Sequence, residues 1–594
     1  MQKIRVLSRY LAASLALNAC TAIATPPDTK PDSPEPPAQI ERPAQNAAPA
    51  ENLPAIELKL APLPPGPELD LKTLRLPLVG MKPGETLELR IDPPPVETGG
   101  DEQLAEWIAA QFEAINSTDL RAVPTTGREL ALVHARVDLV FQSALTHAEK
   151  YPASPWHAQV VLAIARLATL NIERFLGAET NRKKQMFNVN LEVDEQLDLV
   201  LQYYRPIVRI VSEALKLNPD ASTRVRLLSV LAHCYLRVGN HHHNILHLGA
   251  DGLRYQAQAA DLFEAALRIN REHPDAAENH ISLCVALLDS RQFGRTVTAC
   301  EDYLQRYARQ KYAINMFIYI HKALQRSGQV EAGLALWNRF APILEAGSKG
   351  LPMPTNFDGG GWIASTESRP FFESYRAQLD FYRFYYTFAL GDLVTAKTHL
   401  QTFLDHVLAK EASGALIDVQ TKVHREQMAQ TYEASFDRLL GKPAPSFDVE
   451  DGWVIPPPND GEAAKATLLF FCNVGSARDR HHQLFEVFEK LKKEFFERGL
   501  RIVWLTPGSL RRDATAEEQK SELAHAAKIL GMTSPTGIDL RVESPVWSAY
   551  GANKLGVQVF LINEKNAVCW QLIDPMAWEE GFLRYVIGRV LDKK

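Results

Sequence analysis

"ATLLFFCNVGSARDRHHQLFEVFEKLKKEFFERG", residues 466–499, opens with an apolar run broken only by Thr467. A run this short and continuous reads as a strand buried on both faces, the kind found inside a sheet covered by helices. It ends at Cys472, passes through a small and polar turn, and becomes a helix with Leu484, Phe485, Phe488 and Leu491 on one face. Strand, turn and helix in this order call for another parallel strand. "LRIVWLTPG" (500–508) supplies it, and "EEQKSELAHAAKILG" (517–531) is the next helix. "VQVFLINEKNAVCWQL" (557–572) reads as a hairpin turning at Glu564–Asn566, and "EEGFLRYVIGRVL" (579–591) as a closing helix. The expectation for 441–594 is an α/β domain with a central mixed sheet.

Upstream the texture changes. Residues 101–440 read as one helix after another, with apolar positions at i, i+3, i+4 and i+7 and short breaks between runs. A weak internal repeat runs through them. "SEALKLNPDASTRVRLLSVLAHCYLRVGN" (212–240) and "FEAALRINREHPDAAENHISLCVALLDSRQF" (263–293) each carry Ala-Leu-x-hydrophobic-Asn, then Pro-Asp-Ala, then another helix. "HKALQRSGQVEAGLALW" (321–337) and "FALGDLVTAKTHLQTFL" (388–404) share a helix, a glycine turn and a helix with a small alanine at the crossing.

These segments resemble tetratricopeptide repeats. The resemblance implies an α-solenoid-like domain over 101–440, with Gly328 and Gly391 at inter-helix turns. It also implies Phe263, Ala266 and Ala396 at close helix contacts and Pro219 at a helix end. An irregular all-α domain, in which these are generic packing residues, is the competing reading.

The C-terminal phrases resemble the thioredoxin-like redoxin family of exported thiol oxidoreductases. They are Leu-Gly-Lys-Pro-Ala-Pro-Ser-Phe (440–447), "IDLRVESPVWSAYGA" (538–552) and "FLINEKN" (560–566). The resemblance implies a thioredoxin-like fold and makes the missing chemistry visible. A member of that family needs Cys-x-x-Cys where the helix after the first buried strand begins, because the helix N-terminus lowers the pKa of the attacking thiol. Here Gly475 and Arg478 occupy the two cysteine positions, and Cys472 lies three residues upstream. The position of the family's cis-proline falls at Val557 or Gln558. The expectation is a redox-silent domain with no catalytic residue, no cofactor and no metal. The alternative is a thiol–disulfide oxidoreductase or redox sensor acting through Cys472 alone.

Before residue 101 the chain is not expected to fold as a domain. Residues 1–19 carry Lys3, Arg5 and Arg9 and then a short apolar run, the pattern of an export signal. Leu17-Asn18-Ala19-Cys20 resembles the lipobox of bacterial lipoproteins, which implies lipidation at Cys20. Cleavage after Ala24 is the competing reading. From Thr25 to Gly100 prolines crowd the chain, with 18 of its 37 between Pro26 and Pro95, so 20–100 reads as an extended linker behind the anchor.

With a formal net charge of −6 and scattered Lys and Arg, no nucleic-acid footprint is evident. The partners expected are envelope proteins or peptides on the helical domain, with the membrane reached through lipid only. The six cysteines are too few for a disulfide scaffold; Cys234 and Cys284 read as small core residues, and Cys284 and Cys300 could meet across a helical hairpin. His243 and His247 are one helical turn apart, but no ligand partner sits at matching spacing, so the run His241–His247 reads as a solvated loop. Gly359–Gly361 lacks the lysine a phosphate loop requires.

Overall fold

The computed structural model describes residues 60–73 apart from 69, residues 94–95, and residues 100–592 apart from 118–127, 170–192, 245–248, 311–312, 355–362, 365, 367, 410–418, 458–463, 473–481, 508–513, 541–544, 553–556 and 574–579. Residues 1–19, Cys20, the glycine triplet, Gly475 and Arg478 lie outside the described residues.

Apolar periodicity becomes helix through most of the described chain. The helices are α1 (Asp101–Ser117), α2 (Arg128–Lys150), α3 (157–169), α4 (Val193–Lys216), α5 (Ala221–Asn244), α6 (Gly249–Ile269) and α7 (Ala276–Asp289). They continue as α8 (Phe293–Tyr307), α9 (Ala313–Ser327), α10 (Val330–Lys349), α11 (Arg369–Ala389), α12 (Leu393–Ala409) and α13 (Val419–Arg438).

Three of the hairpins turn in the same way. After α9, Gly328 adopts φ +74°; its N–H donates to the Gln325 carbonyl (3.0 Å), and the Gln329 N–H reaches back to Leu324 (2.9 Å). After α11, Gly391 (φ +76°) and Asp392 bond to Phe388 (3.0 Å) and Thr387 (3.1 Å). After α7, Arg291 (φ 59°) and Gln292 bond to Leu288 (3.1 Å) and Leu287 (2.9 Å). This paired bonding satisfies the last carbonyls of each helix and reverses the chain in one step. Phe263, Ala266 and Ala396 are fully buried, as close helix contacts require.

The C-terminal region builds one six-stranded mixed sheet. Its strands are β1 (Trp453–Ile455), β2 (Ala466–Phe471), β3 (Leu500–Pro507), β4 (Thr536–Asp539), β5 (Gln558–Asn563) and β6 (Val568–Ile573), in the order β1-β4-β3-β2-β5-β6. β2 is buried along its whole length; it runs parallel to β3 and antiparallel to β5. β3 and β4 are parallel, while β1 closes one edge against β4 and β6 the other against β5, both antiparallel.

Helices α14 (His482–Phe495) and α17 (Glu580–Asp592) cover one face. There Phe470 and Trp504 meet Phe488 (3.9 and 5.7 Å between ring centres), and Trp570 meets Phe582 (6.1 Å). The short α16 (Pro545–Tyr550) covers the other face, with Trp547 and Tyr550 against Phe471. α15 (Ala516–Ile529) follows β3 and begins in a reciprocal cap: Thr515 Oγ1 accepts from the Glu518 N–H (3.2 Å), and the Glu518 carboxylate accepts from the Thr515 N–H (2.7 Å).

The apolar core does not divide where the sequence texture changes at 441. One cluster gathers Leu71 with residues from α1 to α7. The second runs from Cys284 to Ile587 and joins α8–α13 to the sheet. α7 serves both, since Leu283, Ala286 and Leu287 face the first cluster while Ala277, Ile281 and Cys284 face the second, a helical spacing in each set.

Contacts from α17 hold the second cluster together. Phe582 stacks on Tyr385 of α11 (4.6 Å, 16°), the Tyr585 hydroxyl donates to Glu331 of α10 (2.5 Å), and Arg589 donates to the Leu390 carbonyl (2.9 Å). Glycine is required where α17 meets the hairpin turns. A Cβ at Gly328 would run into the Gly581 carbonyl, and one at Gly391 into the Arg589 guanidinium.

Candidate functional site

Parallel strands direct ligands to their carboxyl ends, and Cys472 stands at that end of β2. Its N–H donates to the Leu505 carbonyl (3.0 Å), which extends the β2–β3 ladder by one residue. Strand alternation puts its side chain on the Phe470 face, which α14 covers. The residue is 2% exposed, and burial alone pushes its thiol up to about 12. Burial therefore favours the protonated thiol over the thiolate at neutral pH. Gly475 and Arg478 fall within 473–481, outside the described residues.

Two further buried polar residues share this end of the sheet. Asp539, at the end of β4, accepts the Val546 N–H (2.9 Å) and so satisfies the first turn of α16. Gln558, opposite Phe471 in register, accepts from Gln571 Nε2 (3.3 Å), and both amides are buried. The region that the redoxin resemblance assigns to a cis-proline thus holds a neutral amide. Cys569 lies toward the opposite end of the sheet, on β6, with its thiol against the Leu561 carbonyl (3.2 Å). The described part of this edge offers a neutral thiol, two amides and a carboxylate engaged with a helix start.

In the helical region Cys234, Cys284 and Cys300 are buried free thiols. Cys284 and Cys300 do come together across the α7–α8 hairpin, hydrogen-bonded as thiols, and burial together with this neighbour holds Cys300 well above the ordinary thiol range. The histidine run departs from the expected solvated loop, because α5 continues through Asn244. His242 is 3% exposed and lies 5.3 Å from the Tyr255 ring; burial pulls His241 down to about 4. Both rings are neutral at pH 7. His247 lies outside the described residues. Among the described residues no group of three or more His, Cys, Asp and Glu is placed to hold a metal ion.

A second polar constellation had no signature in the sequence, and it sits on the outside of the helical region. Residues 60–68, LAPLPPGPE, lie across α4, α5 and α6. Arg205 of α4 donates through Nε to the Pro64 carbonyl (2.7 Å), through one terminal nitrogen to Pro67 (2.8 Å) and through the other to Pro65 (3.3 Å). Tyr235 of α5 donates to the Ala61 carbonyl (2.7 Å) and Tyr255 of α6 to Pro62 (3.3 Å); the Gln258 side chain accepts the Ala61 N–H (3.0 Å). One turn after Arg205, Arg209 pairs with Glu68 (3.1 Å). Further along, Leu71 enters the core and Lys72 pairs with Glu149.

No protein-family model matches the chain, and no curated protein matches it. No described helix is long and apolar enough to cross a membrane.

Proposed function

We propose that the chain is an exported, lipid-anchored scaffold that binds envelope proteins or peptides on a tetratricopeptide-like helical domain. Its C-terminal region is a thioredoxin-like domain without redox activity. One observation carries this reading: the cysteine nearest the expected redox position is buried at a strand end, 2% exposed, with its N–H bonded to the neighbouring strand.

Three features support the rest. The successive hairpins α7–α8, α9–α10 and α11–α12 share one turn geometry, as a repeat array would. The sheet has a buried central strand followed by a helix, with a parallel strand on one side and an antiparallel hairpin on the other, as a redoxin-like domain would. A basic and apolar leader ending in Leu-Asn-Ala-Cys supports export and anchoring.

The test has three arms. Insulin-disulfide reduction by the full chain is expected at the uncatalysed rate, and reduction that Cys472→Ser abolishes would transfer the reading to the single-thiol oxidoreductase. Affinity capture from the envelope fraction is expected to retain a defined partner. Membrane retention is expected to disappear in Cys20→Ala; retention unchanged by that substitution refutes the lipid anchor.

A further inference from the structure

Residues 60–68 contact the helical region as a bound peptide would. Five of the nine residues (Pro62, Pro65, Gly66, Pro67 and Glu68) are exposed, so the segment lies on the surface and does not plug a core. Leu60, Ala61 and Leu63 supply the apolar contact. All the remaining contacts but one are to main chain: five carbonyls are bound, three of them by the single guanidinium of Arg205.

A proline-rich chain suits such a site, because its extended backbone makes no internal hydrogen bonds and leaves its carbonyls to be read by others. Its fixed φ angles also mean that little conformational freedom is lost on docking. Arg205 is 8% exposed, yet its bonded partners are these carbonyls and no carboxylate. A buried cation of this kind has to be hydrogen-bonded, and the proline carbonyls do it. Gly66 suits the fit, since a Cβ there would lie 2.8 Å from both terminal nitrogens of Arg205 and would push the guanidinium off the carbonyls it binds.

We propose that Arg205, Arg209, Tyr235, Tyr255 and Gln258 form a recognition groove for extended proline-rich peptides of the pattern Leu-x-Pro-Leu-Pro-Pro-Gly-Pro-acid. The chain's own residues 60–68 fill it in this structure. The partner is an envelope protein carrying such a segment, which displaces the chain's own. This rests on the scaffold reading and gives it a partner chemistry.

The test uses the full chain and a fluorescent peptide of residues 57–70, with binding read by anisotropy. Gly66→Ala in the chain frees the groove without altering it, so the added peptide is expected to bind that variant at least tenfold more tightly than the unaltered chain. Leu63→Asp, which loosens the segment by a different contact, is expected to do the same. Arg205→Ala placed on either background is expected to weaken binding at least tenfold, and a peptide carrying alanine at the Gly66 position is expected to bind as weakly.

Equal peptide affinity for the unaltered and freed chains, or indifference to Arg205→Ala in chains that melt normally, overturns the proposal. So does dimerisation of the freed chain through exchanged segments with no gain in peptide binding. Envelope partners retained by a chain that takes up no peptide would leave the scaffold reading standing and remove this one.

Discussion

Consider the thiol of Cys472 as the pH is raised. Folded, it loses its proton near 12; unfolded, near the ordinary thiol value of 9.0. At pH 7.4 the thiolate fraction is then about 3 in 100,000 in the native state and about 2.5% in the unfolded chain. Alkylation of native Cys472 by iodoacetamide should accordingly run about a thousandfold slower than in denaturant, before any hindrance from burial is counted.

The same difference acts on stability. A thiol kept neutral by the fold holds its proton where the unfolded chain has lost it, so its contribution is complete below pH 9 and declines as pH rises toward 12. By pH 10.5 the loss is about 2 kcal/mol. Cys472→Ala should be less stable than the parent by about 1 kcal/mol at pH 7, for the volume removed, yet should lose about 2 kcal/mol less between pH 8.5 and 10.5. Urea melts at both pH values, with mass mapping of alkylated cysteines, check both points. Parallel stability profiles for the two chains, or labelling of Cys472 within seconds under native conditions, would falsify the buried-thiol account.

Four further substitutions probe the turns and the shared core. Gly328→Ala is expected to cost about 3 kcal/mol, since left-handed backbone strain adds to the clash with Gly581. Gly531→Ala, also left-handed (φ +62°) but with open space around it, should cost about 1 kcal/mol; equal costs would refute the contact. Arg291→Gly relieves a left-handed arginine in the α7–α8 turn and should stabilise by about 1 kcal/mol in a thermal melt. Phe582→Ala opens the contact between α17 and α11 and should cost about 3–5 kcal/mol. Amide exchange should then rise across 313–389 as well as in the sheet while 200–240 stays protected, and a rise confined to the sheet would refute a common core.

Residues 466–472 were readable as a central strand because a strand covered on both faces shows no alternation, only an unbroken apolar run. The same rule hides β1 and β4: three and four residues carry no period, and their pairing is set by neighbours far along the chain. Gly328 and Gly391 announced their turns, whereas Arg291 makes the same turn with a residue that rarely adopts it. The letters at 475 and 478 are Gly and Arg where the redoxin resemblance expects cysteines, and the burial of Cys472 could be read from its place at the end of the run. The recognition groove could not be read. Proline tells of an extended chain, but not that an arginine and two tyrosines, about 140 to 195 positions away, will donate to its carbonyls.

The contrast among the three turns explains why glycine stands in two of them. All three need a left-handed residue, and glycine is the least strained choice at each. Yet Arg291 is exposed, while Gly328 and Gly391 are half-buried against Gly581 and Arg589 of α17. Where only the backbone angle matters, an arginine is tolerated at a cost of about 1–2 kcal/mol. Where a helix of the sheet region also presses on the turn, a side chain would in addition meet the Gly581 carbonyl or displace the Arg589 guanidinium. The turn glycines that make the helical region look like a repeat are, in this chain, also the places where it meets the α/β region. That meeting helps explain why the apolar core runs unbroken from Cys284 to Ile587, across the point at which the sequence changes character.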